Sequence, residues 1–194
     1  MNNNFEKSIL LMVPQWIQYH VSHRNETTFY VYPEYIKPML YFLRDHMSTQ
    51  YKICIDITAA DYPSRPARFE CVYNLLSVEY NNRIRIVACV DETTALDSAY
   101  PVYSSATWWE REVWDMFGIF FHSSPDLRRI LTDYGFQGHP LRKDFPLSGL
   151  VEVRYDDSEK RVAIESIETT QEFRYFDFSS PWEQNPNQDI AKVA

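Results

Sequence analysis

Apolar side chains recur at two different periods along the first hundred residues, and the switches between periods mark out the elements. "SILLMV" and "QWIQYHV" read as short helical pieces interrupted at Pro14, and "TTFYVYP" is rich in the β-branched and aromatic side chains that favour strands. From Glu34 onward Ile36, Met39, Leu40, Leu43 and Met47 follow helical spacing. "YKICIDITA" alternates, which puts Ile53, Ile55 and Ile57 on one face of a strand. "RFECVYNLLSVEY" and "RIRIVACV" flank Asn81 and Asn82, both tolerant of turn dihedrals, and predict a β-hairpin. The pattern predicts an α+β fold, with helices packed on a small antiparallel sheet.

The segment "WWEREVWDMFG", residues 108–118, sets three tryptophans around charged side chains. With residues 108–120 on a helix at about 100° per residue, Trp109, Val113, Met116, Phe117 and Phe120 form a core-facing stripe. Arg111 and Asp115 fall on the far side, four apart, as an expected pair. Glu110 and Glu112 land on the two borders of the stripe, and Trp108 and Trp114 lie beyond them. Ser105 is a candidate cap. Thr107 is another, with Glu110 completing a capping box, and Gly118 is placed to end the helix. Border carboxylates are partly desolvated and are expected to meet cations. Arg128, Arg129, Arg142 and Lys143 are the nearest in sequence, so the expectation is an ion-pair scaffold that pins the irregular segment 120–147 against the helix.

"SPDLRRIL" predicts one short helix, with Ser124 as cap, Pro125 at the first position and Asp126 in the first turn. Past Thr132 the regular periods fade, and "DYGFQGHPLRKDFPLSG" holds three of the four glycines. "VEVRYDDSEKRVAIE" predicts a hairpin turning through Asp156–Glu159. "EFRYFDFSSPWEQ" is aromatic-rich without helical spacing. The expected organisation is a globular domain over 1–120, then an irregular segment and long extended tail over 121–194. Phe173, Tyr175, Phe176, Phe178 and Trp182 are too many large apolar groups for an arm in water. Each is worth about 1.5–3 kcal/mol if buried, so they are expected to dock on a partner or, alternatively, to fold back on their own domain.

Composition narrows the function. The 194 residues carry a net charge of −8 with ordinary hydrophobic and charged fractions. Residues 1–107 have nine basic and eleven acidic side chains, 108–150 five and six, and 151–194 five and ten. No region has the basic excess that phosphate binding draws on, so no nucleic acid partner is expected, and "GFQG" matches a nucleic-acid clamp only as a string. The acidic tail would be repelled by anionic lipid, and no apolar run approaches the length of a membrane span. "MNNNFEKS" resembles neither a secretion signal nor an Arg-rich presequence, so the chain is expected to stay where it is made or to be a processed form. Cys54, Cys71 and Cys89, spaced 17 and 18 apart inside apolar runs, read as reduced core thiols rather than cluster or metal ligands.

The alternative reading is a stand-alone acid–base enzyme using Glu110 or Glu112 with His139. No nucleophile, phosphate loop or metal-ligand spacing accompanies them, and His122 and His139 stand 17 apart without a zinc pattern.

"WWEREVWDMFGIFF", "PDLRRILTDYGFQGHPLRKDFPLSGLVEVRYDDSEKRV" and "QEFRYFDFSSPWEQ" closely resemble the thirty-kilodalton subunit of respiratory complex I, NADH:ubiquinone oxidoreductase, and most of all its mitochondrial forms. "DITAADYPSRPARFECVYNLLSVEYNNRIRI" is similar to that family's earlier strands. Ser124 stands where the family usually has His, Gln137 replaces a usual Glu, and "NPNQDIAKVA" has no counterpart we can place. The resemblance implies a peripheral-arm subunit of the quinone module, beside the forty-nine-kilodalton and iron–sulfur subunits. It implies a location on the matrix side of the mitochondrial inner membrane, or alternatively the cytoplasmic face of a bacterial plasma membrane. It also implies that FMN, iron–sulfur clusters, NAD and ubiquinone are held by other subunits, with no cofactor on this chain.

Overall fold

The computed structural model describes residues 2–24, 26–172, 174 and 176. Helix α1, Asn2–Met12, precedes strands β1, Ile17–His23, and β2, Glu26–Val31. A 3-10 turn at Pro33–Tyr35 leads into α2, Ile36–Asp45. Strands β3, Ile53–Asp61, β4, Phe69–Ser77, and β5, Asn82–Val90, complete a five-stranded sheet of order β1-β2-β5-β4-β3. The fold is α+β, as the periodicity predicts, but the sheet is mixed: β2 runs parallel to β5, while the other three pairings are antiparallel.

The core lies between one sheet face and the helices. Phe69, Cys71, Tyr73 and Leu75 of β4 and Ile84, Ile86, Ala88 and Val90 of β5 alternate into it, in register from Phe69 opposite Val90 to Ser77 opposite Asn82. From α2 come Ile36, Met39, Leu40 and Leu43, the predicted stripe. Met47 lies past the helix end and is exposed.

Two sequence expectations fail here for identifiable reasons. "QWIQYHV" is not helical. It supplies the edge strand β1, where only Ile17 is buried, so burial imprints no period on the sequence. Ile53, Ile55 and Ile57 do not share a face, because β3 carries a bulge between Cys54 and Asp56. The extra residue shifts the alternation by one, leaving Cys54 and Ile57 inside and Ile53 and Ile55 outside.

After β5, the short strand β6, Leu96–Asp97, leads to helix α3, Ala106–Phe117. Strand β7, Phe121–His122, returns to pair parallel with β6, so the chain entering α3 is stitched to the chain leaving it. The helix ends at Phe117 rather than at residue 120, with Gly118 in the left-handed region at φ 78°. "SPDLRRIL" forms no helix, and several of its backbone groups are taken by side chains of α3.

The chain divides into two compact units after Gly149, not after residue 120, because residues 121–149 are bonded to α3. In the second unit β8, Val151–Asp156, and β9, Arg161–Ser166, form the predicted hairpin. Phe173, Tyr175, Phe178 and Trp182 lie outside the described residues. Phe176 is described, is exposed, and has the Arg174 guanidinium over its ring at 5.1 Å.

The bulge makes a prediction. Ile57→Ala should cost about 2–5 kcal/mol of stability as a core truncation, and Ile55→Ala less than about 1 kcal/mol as a surface change. Urea unfolding of the two variants checks this. Equal losses would mean that the alternation runs through unbroken.

Candidate functional site

Three charged side chains of α3, Glu110, Arg111 and Asp115, are buried. A helix can bury charge only if every charge finds partners at once, and each of these finds them in backbone that lacks secondary structure of its own. Glu110 accepts from the Ser98 hydroxyl, at 2.8 and 3.0 Å to its two oxygens, and from the Ala99 amide at 2.6 Å. It therefore pairs with no cation of the irregular segment and forms no capping box with Thr107, whose hydroxyl turns to the Ser104 carbonyl. Burial raises the Glu110 carboxyl above its ordinary range, against the lowering effect of those donors.

Arg111 and Asp115 are not the exposed pair the helical wheel suggests. Arg111 donates from Nε to the Arg128 carbonyl and from Nη2 to the Arg129 carbonyl, both at 3.2 Å. Asp115 Oδ2 accepts three consecutive amides, Ile130 at 3.1 Å, Leu131 at 2.8 Å and Thr132 at 3.0 Å. Its Oδ1 takes the Thr132 hydroxyl at 2.8 Å and Arg129 Nη1 at 2.9 Å. Residues 124–131 form no helix, and the Ile130 and Leu131 amides, which a helix there would bond to carbonyls four residues back, are held by α3 instead. Burial works to raise the Asp115 carboxyl, but the Leu131, Thr132 and Ile130 donors outweigh it and hold it at about 2.

The same segment closes the end of α3. The last four carbonyls of a helix have no partners within it. Here Gly118 donates its amide to the Trp114 carbonyl at 2.9 Å, and His139 Nδ1 sits 3.0 Å from the Asp115 carbonyl. The Leu141 amide reaches the Met116 carbonyl at 3.1 Å, and Arg142 Nε reaches the Phe117 carbonyl at 2.6 Å. Burial lowers the His139 pKa, and the imidazole stands edge-on to Trp114 at 5.6 Å. A side chain at 118 would collide with this arrangement, since a Cβ there would lie 2.6 Å from both His139 Nε2 and Arg142 Nη2.

A second cluster ties the segment to the sheet end. Asp61 accepts Arg68 at 2.6 and 2.8 Å and the Lys143 amide at 2.7 Å, and Arg68 also reaches Glu92 and Asp144. Of the sequence-predicted scaffold, then, Arg129 pairs with Asp115 and Arg142 caps the helix while lying 3.7 Å from Glu92. Lys143 contributes its backbone amide, and Arg128 pairs with Asp126 on the surface. The Glu112 side chain makes no hydrogen bond or ion pair among the described residues, in a residue that is half-buried.

The structure does not bring Glu110 and His139 together. Glu110 faces the loop before α3, whereas His139 rests on the carbonyl of Asp115, about 7 Å further along the axis at 1.5 Å per residue. Sequence reasoning missed Asp115 as the central group, and it missed Asp61, Arg68 and Glu92. The one usable signal was that α3 is apolar over too wide an arc to leave any of its charges in water.

Residues 29–151 match the family described as "Respiratory-chain NADH dehydrogenase, 30 Kd subunit". The chain is 84% identical over 192 residues to the NADH-ubiquinone oxidoreductase subunit 9 of Prototheca wickerhamii, covering 99% of this chain and 100% of that one. It is 60% identical over 188 residues to the NADH dehydrogenase [ubiquinone] iron-sulfur protein 3 of Marchantia polymorpha, covering 97% and 96%. Among solved structures, a chain of the membrane-bound sulfane sulfur reductase, an archaeal respiratory membrane complex, superimposes with a TM-score of 0.64 at 26% identity. That match covers 75% of this chain and 86% of the other. The words "iron-sulfur" belong to the relatives' names, and the three thiols here do not share one face of the sheet. Cys54 and Cys71 point into the core, while Cys89 lies on the other face of the sheet beside Glu70. Burial pushes all three away from the thiolate form, to about 12, 12 and 11. Among the described residues no three His, Cys, Asp or Glu side chains gather as metal ligands, and no helix is long and apolar enough to cross a membrane.

Two predictions follow from the helix. Asp115→Asn should lose about 2–4 kcal/mol at neutral pH, because several buried donors lose their acceptor, whereas Glu110→Gln should stay within about 1 kcal/mol. The Asp115 carboxyl is depressed from 3.8 to about 2, so its contribution is complete above about pH 4 and disappears as the pH falls through about 2. Urea midpoints from pH 7 to pH 2 should show the Asp115→Asn deficit vanishing over that window. A deficit that is constant with pH contradicts the assignment. Gly118→Ala should cost at least about 2 kcal/mol through left-handed strain and displaced caps. A thermal melt matching wild type would refute that.

Proposed function

The chain belongs to the family of the thirty-kilodalton subunit of respiratory-chain NADH dehydrogenase, and from that premise we propose that it serves NADH:ubiquinone oxidoreductase as a structural subunit without catalytic residues of its own. One observation carries the proposal. The buried ionisable groups of α3 that could do acid–base work, Glu110 and Asp115, are saturated by Ser98, Ala99, Arg129 and the amides of 130–132. A group used this way holds backbone in place and cannot reach a substrate. Electron transfer between cofactors depends on fixed separations, and a stiff neighbour preserves them.

In this reading FMN, iron–sulfur clusters, NAD and ubiquinone are held by other subunits. The chain lies in the quinone module beside the forty-nine-kilodalton and iron–sulfur subunits, peripheral to the mitochondrial inner membrane on its matrix side. Phe173, Tyr175, Phe176, Phe178 and Trp182 supply apolar anchors to those neighbours.

Phe176→Ala combined with Trp182→Ala should lower the amount of assembled complex severalfold, while NADH:ubiquinone turnover per assembled complex stays at the wild-type level. Native gels with in-gel activity measure both. Normal abundance with lost turnover per complex would instead place this chain in the chemistry.

A further inference from the structure

A cavity of about 270 Å³ opens where three stretches of the first unit meet: α1, the loop after α2 and the turn joining β4 to β5. Phe5 lines it from the helix, Thr49 and Tyr51 from the loop, and Tyr80, Asn81 and Asn82 from the turn and the start of β5. No charged side chain lines it among the described residues. The walls are held by bonds of their own. Tyr80 Oη donates to the Met47 carbonyl at 2.9 Å, which ties the turn to the loop. Thr49 Oγ1 donates to the Leu43 carbonyl at 2.8 Å, near the end of α2. The Phe5 and Tyr51 rings lie 6.5 Å apart at 50°. The cavity is therefore formed before any ligand arrives, as small-molecule sites generally are.

The polar groups left without partners define what it takes. Tyr51 is wholly buried, and its hydroxyl accepts from Asn82 Nδ2 at 3.0 Å. Among the described residues that hydroxyl donates to nothing, and a buried donor without an acceptor is costly. Ser77, directly across from Asn82 in the β4–β5 register, is also wholly buried, and its Oγ has no partner. Asn81 uses its backbone amide, on the Val78 carbonyl, while its carboxamide bonds to nothing among the described residues. A carboxamide sets a donor beside an acceptor and pairs bidentately with a ring edge that does the same. Aromatic walls suit a flat ring. With no cation to hold a phosphate and no carboxylate to hold an amine, the fitting ligand is uncharged. The volume falls below the roughly 300 Å³ at which drug-sized sites begin, so one ring system fills it. We propose that this cavity binds a small uncharged heteroaromatic compound whose edge carries a donor beside an acceptor, the chemistry of a free nucleobase or nucleoside. No nucleic-acid strand is implied, because the cavity lacks the cations that a phosphate backbone requires. No residue of α3 lines the cavity, and the structural-subunit reading does not depend on it.

The test titrates the isotopically labelled full chain with adenosine and, separately, with glucose, following the backbone amides by NMR. Saturable shifts with adenosine, confined to residues 48–51 and 80–82, are the expected result. Asn81→Gly removes the carboxamide and keeps the turn, because glycine readily adopts the left-handed φ of 46° that Asn81 holds. Tyr51→Phe keeps the ring and removes the hydroxyl. Each should weaken adenosine binding about fivefold, the effect of one hydrogen bond, with the spectrum away from the cavity unchanged. Shifts that do not saturate at millimolar adenosine, or binding undiminished in both variants, would overturn the proposal. Saturable binding of glucose with none of adenosine would overturn it too, and would make this a polyol site.

Discussion

One buried carboxylate organises the second half of the first unit. Asp115 gathers three successive amides, a hydroxyl and a guanidinium onto two oxygens. A chain segment rich in glycine and proline cannot satisfy its own backbone, and an unsatisfied polar group away from water is expensive. Asp115 and its neighbour Arg111 supply the missing partners from outside, an acceptor for the amides and a donor for the carbonyls. The segment serves the helix in turn, because His139, Leu141 and Arg142 complete the carbonyls that α3 leaves open. Helix and loop are each unsatisfied alone and satisfied together, and for that reason the boundary between compact units falls at Gly149 and not at the end of the helix.

The same constraint shapes function. Charges set among tryptophans look like an active site on paper, but in three dimensions they are structural bonds. Asp115 is held ionised by its donors, and Glu110 is pushed toward its neutral form by burial. Such separated carboxyls resemble an acid–base pair, yet they face different loops and neither opens onto a shared cleft. The second unit shows the opposite balance, an apolar face turned outward with its charges on the reverse.

Where burial writes a period into the chain, the elements were legible. The α2 stripe, the β4–β5 hairpin around Asn81 and the β8–β9 hairpin all follow from spacing. Where one residue alone is buried, as in β1, or where an extra residue shifts the alternation, as at Ile55, the period misleads. The site was legible only in outline. The wide apolar arc of α3 shows that charges must be buried, but apart from Arg129 their partners are hydroxyls and backbone groups, which charge complementarity does not point to. Ser98 and Ala99 for Glu110, and the amides of 130–132 for Asp115, leave no trace that a search for oppositely charged side chains could find.

Hydrogen exchange at the amides of Ile130, Leu131 and Thr132 tests the central claim most directly. These amides lie in a segment without helix or strand, so ordinary loop behaviour would be exchange close to the unprotected rate. If Asp115 holds the segment as described, all three should be protected to a degree comparable with amides of β4 and β5, and should lose that protection together in Asp115→Asn. Exchange at loop rates in the wild-type protein would show that the helix does not organise this segment.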